Sequence, residues 1–242
     1  MKNGKFNLSK TDRKLAVLID PDKHSEDELI DFVADLKPLR PDFLFIGGSL
    51  IFKSNIERAA KMLKASINVP LVLFPGHFTQ LTDEVDAVLL LSLISGRNPD
   101  LLIGQHVLSA SKLKSMKAEK ISTGYMLIDG GRSTSVSYMS NTQPIPHDKI
   151  DIATCTAQAG ELIGMKLFYL DAGSGAEIPV SPKMINAVAR SIDAPLVVGG
   201  GIRNYEMIEE RWDAGANLIV IGNALEENLE QITRDFSKHL AS

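Results

Sequence analysis

Two aspartates each follow a continuous run of apolar residues and open a turn. Asp20 comes after Leu15 to Ile19, and Asp171 comes after Leu167 to Leu170. A carboxylate such as that of Asp20 suits a hard cation that also contacts substrate phosphates, and Ser49 would supply a second oxygen. Partial burial of Asp171 would raise its pKa toward the range of a general base. The pattern therefore predicts a metal-assisted or acid-base site.

Each of these side chains also has a purely structural alternative. Asp20 and Asp22 are equally suited to capping a helix that begins near Ser25, because a carboxylate accepts hydrogen bonds from the first N–H groups of a helix. Asp171 would serve a loop in the same way. Lys23 is either a phosphate partner or a solvated loop charge. Spacing alone leaves these alternatives open.

Glycine-rich segments follow two further apolar runs. They read Gly199-Gly200-Gly201 and Gly222-Asn223, and a helix is predicted to begin near Ala224. Without a Cβ, the backbone N–H groups can approach an anion closely, and the N-terminus of a helix adds positive potential. These loops predict a phosphate-binding site.

Eight short apolar runs supply the candidate strands, and segments of helical period separate most of them. The runs are continuous, as in parallel strands that are covered on both faces. This order favours a single (β/α)8 TIM-type barrel, one domain over residues 1–242, with all strands ending at one mouth. A dinucleotide fold is not favoured, because the first turn lacks Gly-x-Gly-x-x-Gly. The runs are Leu15 to Ile19, Phe43 to Ile46, Leu71 to Phe74, Ala87 to Leu91, Tyr125 to Ile128, Leu167 to Leu170, Leu196 to Val198 and Leu218 to Ile221.

Three segments carry more specific expectations. Gly76 to Glu84 is too short for a full helix, so the third helical segment is predicted to be irregular. Asp129 to His147 is predicted to be a long irregular active-site loop. Asp148 to Gly164 is predicted to be a helix that packs close to the sheet through small residues. Cys155, which lies in that helix, is predicted to be buried and inert.

Composition narrows the class of protein. The chain has 242 residues, 44% of them hydrophobic, and a net charge of −4 without acidic or basic blocks, so a nucleic-acid partner is not favoured. The apolar stretch from Ala87 to Ile94 is far shorter than the roughly 18 residues of a membrane span. The first residues lack a secretory signal. We expect a cytoplasmic protein.

Five motifs, in this order and spacing, resemble the geranylgeranylglyceryl phosphate synthases. The likeness runs from about Leu15 to Asn228, and Tyr138 to Pro146 is similar to the larger branch of that family, found in archaea and Bacteroidetes. The motifs are Leu18-Ile19-Asp20-Pro21-Asp22-Lys23, Ile46-Gly47-Gly48-Ser49, Tyr169-Leu170-Asp171-Ala172-Gly173-Ser174-Gly175-Ala176, Val197-Val198-Gly199-Gly200-Gly201-Ile202-Arg203 and Val220-Ile221-Gly222-Asn223-Ala224.

The resemblance implies a reaction. It is transfer of a geranylgeranyl group (C20) from its diphosphate to sn-glycerol 1-phosphate, with ether-bond formation, release of diphosphate and Mg²⁺ as the metal. It implies that Asp20 and Ser49 are metal-site residues and that Asp171 is the base. It further implies that the residues that hold glycerol phosphate are Tyr169, Leu170, Asp171, Ala172, Gly173, Ser174, Gly175, Gly200, Gly201, Gly222 and Asn223. The prenyl tail needs an apolar groove, for which Phe78 and the loop from Asp129 to His147 are candidates.

The chain departs from relatives at two positions. Many relatives carry Glu where this chain has Asp171, and the shorter bacterial branch carries Lys where this chain has Leu18. Two rival functions remain: a phosphosugar isomerase or aldolase-like barrel, and a non-catalytic phosphate-binding barrel. We also expect a homo-oligomer, and transient contact with a membrane surface during product release. Trp212 and Tyr205 are either an interface patch or partly buried core.

Overall fold

The computed structural model describes residues 4–49, 51–52, 55–222, 225 and 232–235. Eight parallel strands close into a barrel in sequence order, and β8 pairs with β1. The strands are β1 (Lys14–Ile19), β2 (Phe43–Ile46), β3 (Leu71–Leu73), β4 (Ala87–Leu93), β5 (Glu119–Leu127), β6 (Leu167–Asp171), β7 (Leu196–Gly199) and β8 (Leu218–Ile221). The helices are α1 (Glu26–Asp35), α2 (Ile56–Ser66), α3 (Gln105–Ser115), α4 (Ser135–Ser140), α5 (Ile150–Leu162), α6 (Pro182–Ser191) and α7 (Tyr205–Asp213). The predicted (β/α)8 barrel is confirmed.

Side chains alternate along each strand between the barrel interior and the layer under the helices. On β6, Leu167 and Tyr169 belong to the interior cluster, whereas Phe168 and Leu170 pack under the helices. This alternation follows from the period of two in a strand. It fixes which strand-end residues point into the mouth, which is the end of the barrel formed by the loops after the strands.

The opposite end of the barrel, which we call the base, is closed by the segment before β1. Phe6 is fully buried inside the barrel, and its ring centroid lies 4.7 Å from that of Phe43. Leu8 joins the same interior cluster. Lys5 forms a 2.8 Å ion pair with Asp86, the residue that precedes β4. The base is therefore filled and held by side-chain contacts.

Local sequence explains where the helices begin. Ser25 caps α1 in a capping box with Glu28, so the suggestion that Asp20 and Asp22 cap this helix is wrong. Asp20 instead caps the short 3₁₀ turn Pro21–Lys23 by accepting the Asp22 N–H. Side-chain oxygens of Asn55, Ser181 and Asn204 cap α2, α6 and α7 in the same manner.

Several boundary predictions need correction. The fifth strand begins at Glu119 rather than Tyr125, because its polar first half pairs with β4. The stretch from Asp129 to His147 is not wholly irregular: it contains α4, and Ile145 forms a bridge with Ile128. The third segment is irregular as predicted, with only a 3₁₀ turn at Phe78–Gln80.

Two side chains resolve open expectations about burial. Cys155 is exposed, so its predicted burial is wrong. The inward stripe of α5 consists of Ala153, Ala157 and Gly160, and a residue two positions from Ala153 lies on the other side of the helix. Trp212 is partly buried against the core and its indole N–H donates to the Lys14 carbonyl, which favours the core interpretation. In the described ranges, no helix is long and apolar enough to cross a membrane.

Candidate active site

Asp171 lies at the inward-facing end of β6, and both of its carboxylate oxygens accept hydrogen bonds. The Tyr125 hydroxyl donates to Oδ2 at 2.6 Å, and the Gly173 N–H donates to Oδ1 at 2.7 Å. Burial raises the pKa of Asp171, and the two hydrogen bonds partly offset that effect. A buried carboxylate with a raised pKa at a strand end has the properties of a general base.

Three aromatic rings form the floor beneath Asp171. Ring centroids of Tyr125 and Tyr169 lie 5.5 Å apart, and Phe74 lies 5.8 and 5.5 Å from them, respectively. Burial, and then the Asp171 carboxylate, raise the pKa of both tyrosines well above its ordinary value, so both hydroxyls stay protonated. The floor is apolar apart from these two hydroxyls, and both tyrosine side chains are buried.

The loops after β6 and β7 meet beside Asp171. Gly200 has a φ of +85°, and a Cβ there would lie 2.6 Å from the Gly173 nitrogen and 2.7 Å from Asp171 Oδ1, so only glycine fits. Among the described residues, the N–H groups of Gly175, Gly200 and Gly201 donate to no protein acceptor. Backbone N–H groups without a protein acceptor are suited to binding an anion.

The predicted metal-site residues lie at the ends of the two neighbouring strands β1 and β2. Asp20 is on the inward-facing register of β1, and a Cβ on Gly48 would lie 3.0 Å from its carboxylate. The missing side chain at Gly48 therefore lets the backbone approach this carboxylate, and Ser49 follows it, partly buried. The described residues contain no cluster of three or more His, Cys, Asp or Glu.

The remaining predicted site residues fall into distinct environments. Leu170 and Ala172 pack in the layer under the helices, so only their backbone can face the mouth. Ser174 is exposed, as is Gly175, and Gly222 is partly buried beside Leu18. Asn223 lies outside the described residues.

Tyr125 and Phe74 were not among the predicted site residues. The signal that would have found Tyr125 is register: Tyr125 pairs with Tyr169, and Leu127 pairs with Asp171. A tyrosine on the inward register, one layer below an inward carboxylate on the adjacent strand, lies within hydrogen-bonding reach of it.

Comparison with known proteins shows which protein family the chain belongs to. The model of the PcrB family matches residues 9–240. The chain belongs to this family. The geranylgeranylglyceryl phosphate synthase of Chitinophaga pinensis is 50% identical, with 91% of this chain and 87% of that protein covered. The enzyme of the same name from Korarchaeum cryptofilum is 35% identical, and the alignment covers 90% of this chain and 89% of that enzyme.

A solved structure agrees with this assignment to the PcrB family. The crystal structure of (S)-3-O-geranylgeranylglyceryl phosphate synthase from Thermoplasma acidophilum, in complex with substrate sn-glycerol-1-phosphate, superposes with a TM-score of 0.87 at 29% identity. The superposition covers 94% of this chain and 92% of the Thermoplasma acidophilum chain. The resemblance inferred from the motifs is thus confirmed, for relatives from Bacteroidetes and archaea alike. The chain is a prenyltransferase of this family.

Proposed function

We propose that this PcrB-family chain forms an ether bond between sn-glycerol 1-phosphate and a geranylgeranyl group. The bond between the allylic carbon and the diphosphate oxygen breaks, and that carbon bonds to the free primary hydroxyl of glycerol phosphate. Diphosphate leaves, and the hydroxyl proton passes to Asp171. The observation that carries the proposal is the meeting of one buried carboxylate with unpaired N–H groups from two loops.

The phosphate of the acceptor binds, in this proposal, to the loops after β6, β7 and β8. Gly175, Gly200 and Gly201 offer backbone N–H groups that have no acceptor among the described residues. Gly222 and Asn223 are proposed to extend the same surface. Because Asp171 adjoins Gly173 and Gly200, a phosphate held there directs the far end of the glycerol toward the carboxylate.

Asp171 acts as the base because its environment gives it two suitable properties. Burial raises its pKa, which increases its basicity, while the Tyr125 hydroxyl and the Gly173 N–H stabilise its ionised form. The aromatic floor excludes water, which limits competing hydrolysis of the allylic diphosphate.

Asp20 and Ser49 are the residues that we propose to hold Mg²⁺. Magnesium commonly binds through one or two carboxylates together with substrate phosphates, which suits a site with the inward carboxylate of Asp20 next to Gly48 and Ser49. When bound, the ion offsets the charge that develops on the leaving diphosphate.

The prenyl tail requires an apolar surface, and two candidate grooves differ in their lining. A cavity of about 40 Å³ between β4 and α3 is lined mostly by apolar residues such as Phe78, Leu81 and Leu113, with His77, Gln105, His106 and Ser109 as its polar members. A larger cavity of about 790 Å³ lies between the loops after β4 and β5, and Arg97, Asn98 and Gln143 line it. The lining favours the first groove. A C20 tail exceeds its volume, so we propose that the segment around Phe78 moves when the tail binds.

A direct assay tests the proposed reaction. Purified protein is incubated with Mg²⁺, radiolabelled sn-glycerol 1-phosphate and prenyl diphosphates of increasing length. The product is extracted into organic solvent after phosphatase treatment. We expect organic-phase label that is highest with the C20 donor and disappears with EDTA. Absence of label with every donor, from protein that still binds glycerol phosphate, would refute the proposal and favour isomerase chemistry or a non-catalytic role.

Asp20→Ala separates the metal role from the fold. The variant is expected to lose transfer activity but to bind sn-glycerol 1-phosphate as the unaltered protein does, measured by calorimetry. Loss of both would indicate that Asp20 is needed for the local structure around the Pro21–Lys23 turn. Size-exclusion chromatography with light scattering on the same preparations tests the expected homo-oligomer.

A further inference from the structure

Tyr125 contacts the Asp171 carboxylate from below, although no strand-end motif contains it. Its hydroxyl donates to Oδ2 at 2.6 Å, while the Gly173 N–H donates to Oδ1 at 2.7 Å. The carboxylate is thus held at both oxygens, once from β5 and once from the loop after β6. Two such contacts restrict rotation of the carboxylate about its Cβ–Cγ bond.

The Tyr125 ring is itself fixed by its neighbours. The side chain is 5% exposed and packs edge-on against Tyr169 and Phe74, with centroid distances of 5.5 and 5.8 Å. Tyr125 also lies on the inward register of β5, whose pairing with β6 sets its height relative to Asp171. A hydroxyl on an immobile ring holds a partner in place better than one on a mobile side chain does.

We propose that Tyr125 is a positioning residue for the reaction, whose hydroxyl fixes the orientation of the Asp171 carboxylate that accepts the proton of glycerol phosphate. The inference rests on the proposed function. Tyr125 does not exchange a proton with the substrate in this scheme; its hydrogen stays on Oη throughout.

The groups around Asp171 make Tyr125 the side chain that most favours the ionised carboxylate. Among the described residues, the titratable side chains that interact with it are Tyr125 from β5 and Tyr169 from β6. The adjoining residues of β7 and its loop are the glycines Gly199 and Gly200, and Thr134 beside Gly173 carries no charge. Burial raises the pKa of Asp171. The hydrogen bond from Tyr125 lowers this pKa more than the hydrogen bond from the Gly173 N–H does.

Tyr125→Phe removes the hydroxyl and keeps the ring. The acid limb of the kcat/KM profile should then move up by about one to two pH units, because a buried acceptor that loses its donor becomes easier to protonate. kcat should fall, while the KM for glycerol phosphate stays close to that of the unaltered protein. A purely structural role would lower the melting temperature without moving the acid limb.

Tyr169→Phe is the matched control, because it deletes a buried hydroxyl from the same aromatic floor. Among the described residues, no hydrogen bond joins Tyr169 to Asp171, and its hydroxyl lies close to Gly199. This variant should leave the acid limb in place, although loss of a hydroxyl from the predicted glycerol phosphate site is expected to raise the KM. A shift as large as that of Tyr125→Phe would assign the effect to general polarity of the floor and overturn the proposal.

Two further measurements keep the test decisive. If Tyr125→Phe does not fold, 3-fluorotyrosine at position 125 keeps the geometry and strengthens the donor, so the acid limb should move down; no movement would overturn the proposal. If the unaltered protein makes no ether product, the proposed function fails, but ¹³C NMR of the Asp171 carboxyl still measures its pKa in both proteins. Equal pKa values would then refute the role of Tyr125 independently of activity.

Discussion

The base and the mouth of the barrel use the same eight strands, yet they treat backbone N–H groups in opposite ways. At the base, polar residues that precede strands accept these groups: Asp42 from Leu15, Asp86 from Leu71, and Asn217 from Leu196, all at 2.9 Å. At the mouth, the N–H groups of Gly175, Gly200 and Gly201 find no acceptor within the described part of the chain.

The difference indicates that stability and binding are located at separate ends. A buried or half-buried polar group that already has its partner gains nothing from a ligand, whereas an unpaired N–H group at the mouth becomes satisfied when an anion arrives. Substitutions at the base should therefore change the free energy of unfolding, and substitutions at the mouth should change binding and catalysis. Four variants test this separation.

Asp171→Asn should have the largest effect on activity, and it should also lower stability, because either the Tyr125 hydroxyl or the Gly173 N–H then faces the NH₂ group of the amide. The amide keeps the volume of the side chain but cannot accept the proton, so we expect transfer to fall by about 10²- to 10⁴-fold, the usual contribution of a general base. Steady-state kinetics with labelled glycerol phosphate measure this loss. Calorimetric binding of glycerol phosphate serves as the control, and retention of more than a tenth of the activity would contradict the assignment.

Phe6→Ala should have the next largest effect, and only on stability. Removing a fully buried aromatic ring from the base costs about 3–5 kcal/mol of unfolding free energy. Urea denaturation at 25 °C measures it. Phe52→Ala is the matched control, because that ring is 79% exposed and its loss should change stability by less than about 0.5 kcal/mol. Equal effects would show that Phe6 does not pack inside the barrel.

Gly200→Ala should weaken phosphate binding with a smaller cost in stability. A methyl group there would lie 2.7 Å from Asp171 Oδ1, and the φ of +85° adds about 1–2 kcal/mol of strain. Gly164→Ala is the matched control, since its φ is +99° but no atom lies within 4 Å of the added Cβ. Both variants should lose stability, whereas only Gly200→Ala should lose affinity for inorganic phosphate in calorimetry.

Asp86→Asn should have the smallest effect, about 1 kcal/mol at pH 7, through loss of its ion pairs with Lys5 and Lys64. Burial raises the pKa of Asp86, but hydrogen bonds from Lys5, the Leu71 N–H and Lys64 outweigh it, and the net pKa is lowered. A lowered pKa in the folded state contributes stability above the unfolded pKa of about 3.9, which is lost as pH falls through the folded value. The difference between the two proteins in urea unfolding should therefore shrink as pH falls below about 3.9; a constant difference would contradict this account.

The sequence predicted the barrel well because its signals are local. Continuous apolar runs such as Leu218 to Ile221 identify buried parallel strands without knowledge of their neighbours. Prediction failed where pairing decides the outcome. Lys120, Ser122 and Thr123 are polar, yet they belong to β5 because β4 provides partners for them.

The candidate site was predictable to the same extent. The sequence identifies Asp20, Asp171 and the loop glycines because each of them follows an apolar run that predicts a strand. Tyr125 does not, because its role depends on the register between β5 and β6, which brings residues 46 positions apart into contact. Cys155 was placed wrongly because a stripe of small residues was extended to a neighbour that faces away from it.

The filled interior of the barrel limits how ligands enter and leave the site. The barrel interior is filled by buried aromatic rings, those of Phe6, Phe43, Phe45 and Tyr169. No channel therefore runs through this part of the barrel, and its site is accessible only from the mouth. Whatever enters at the mouth must leave by the same route. In the proposed transfer, both substrates therefore enter and both products leave through this one opening.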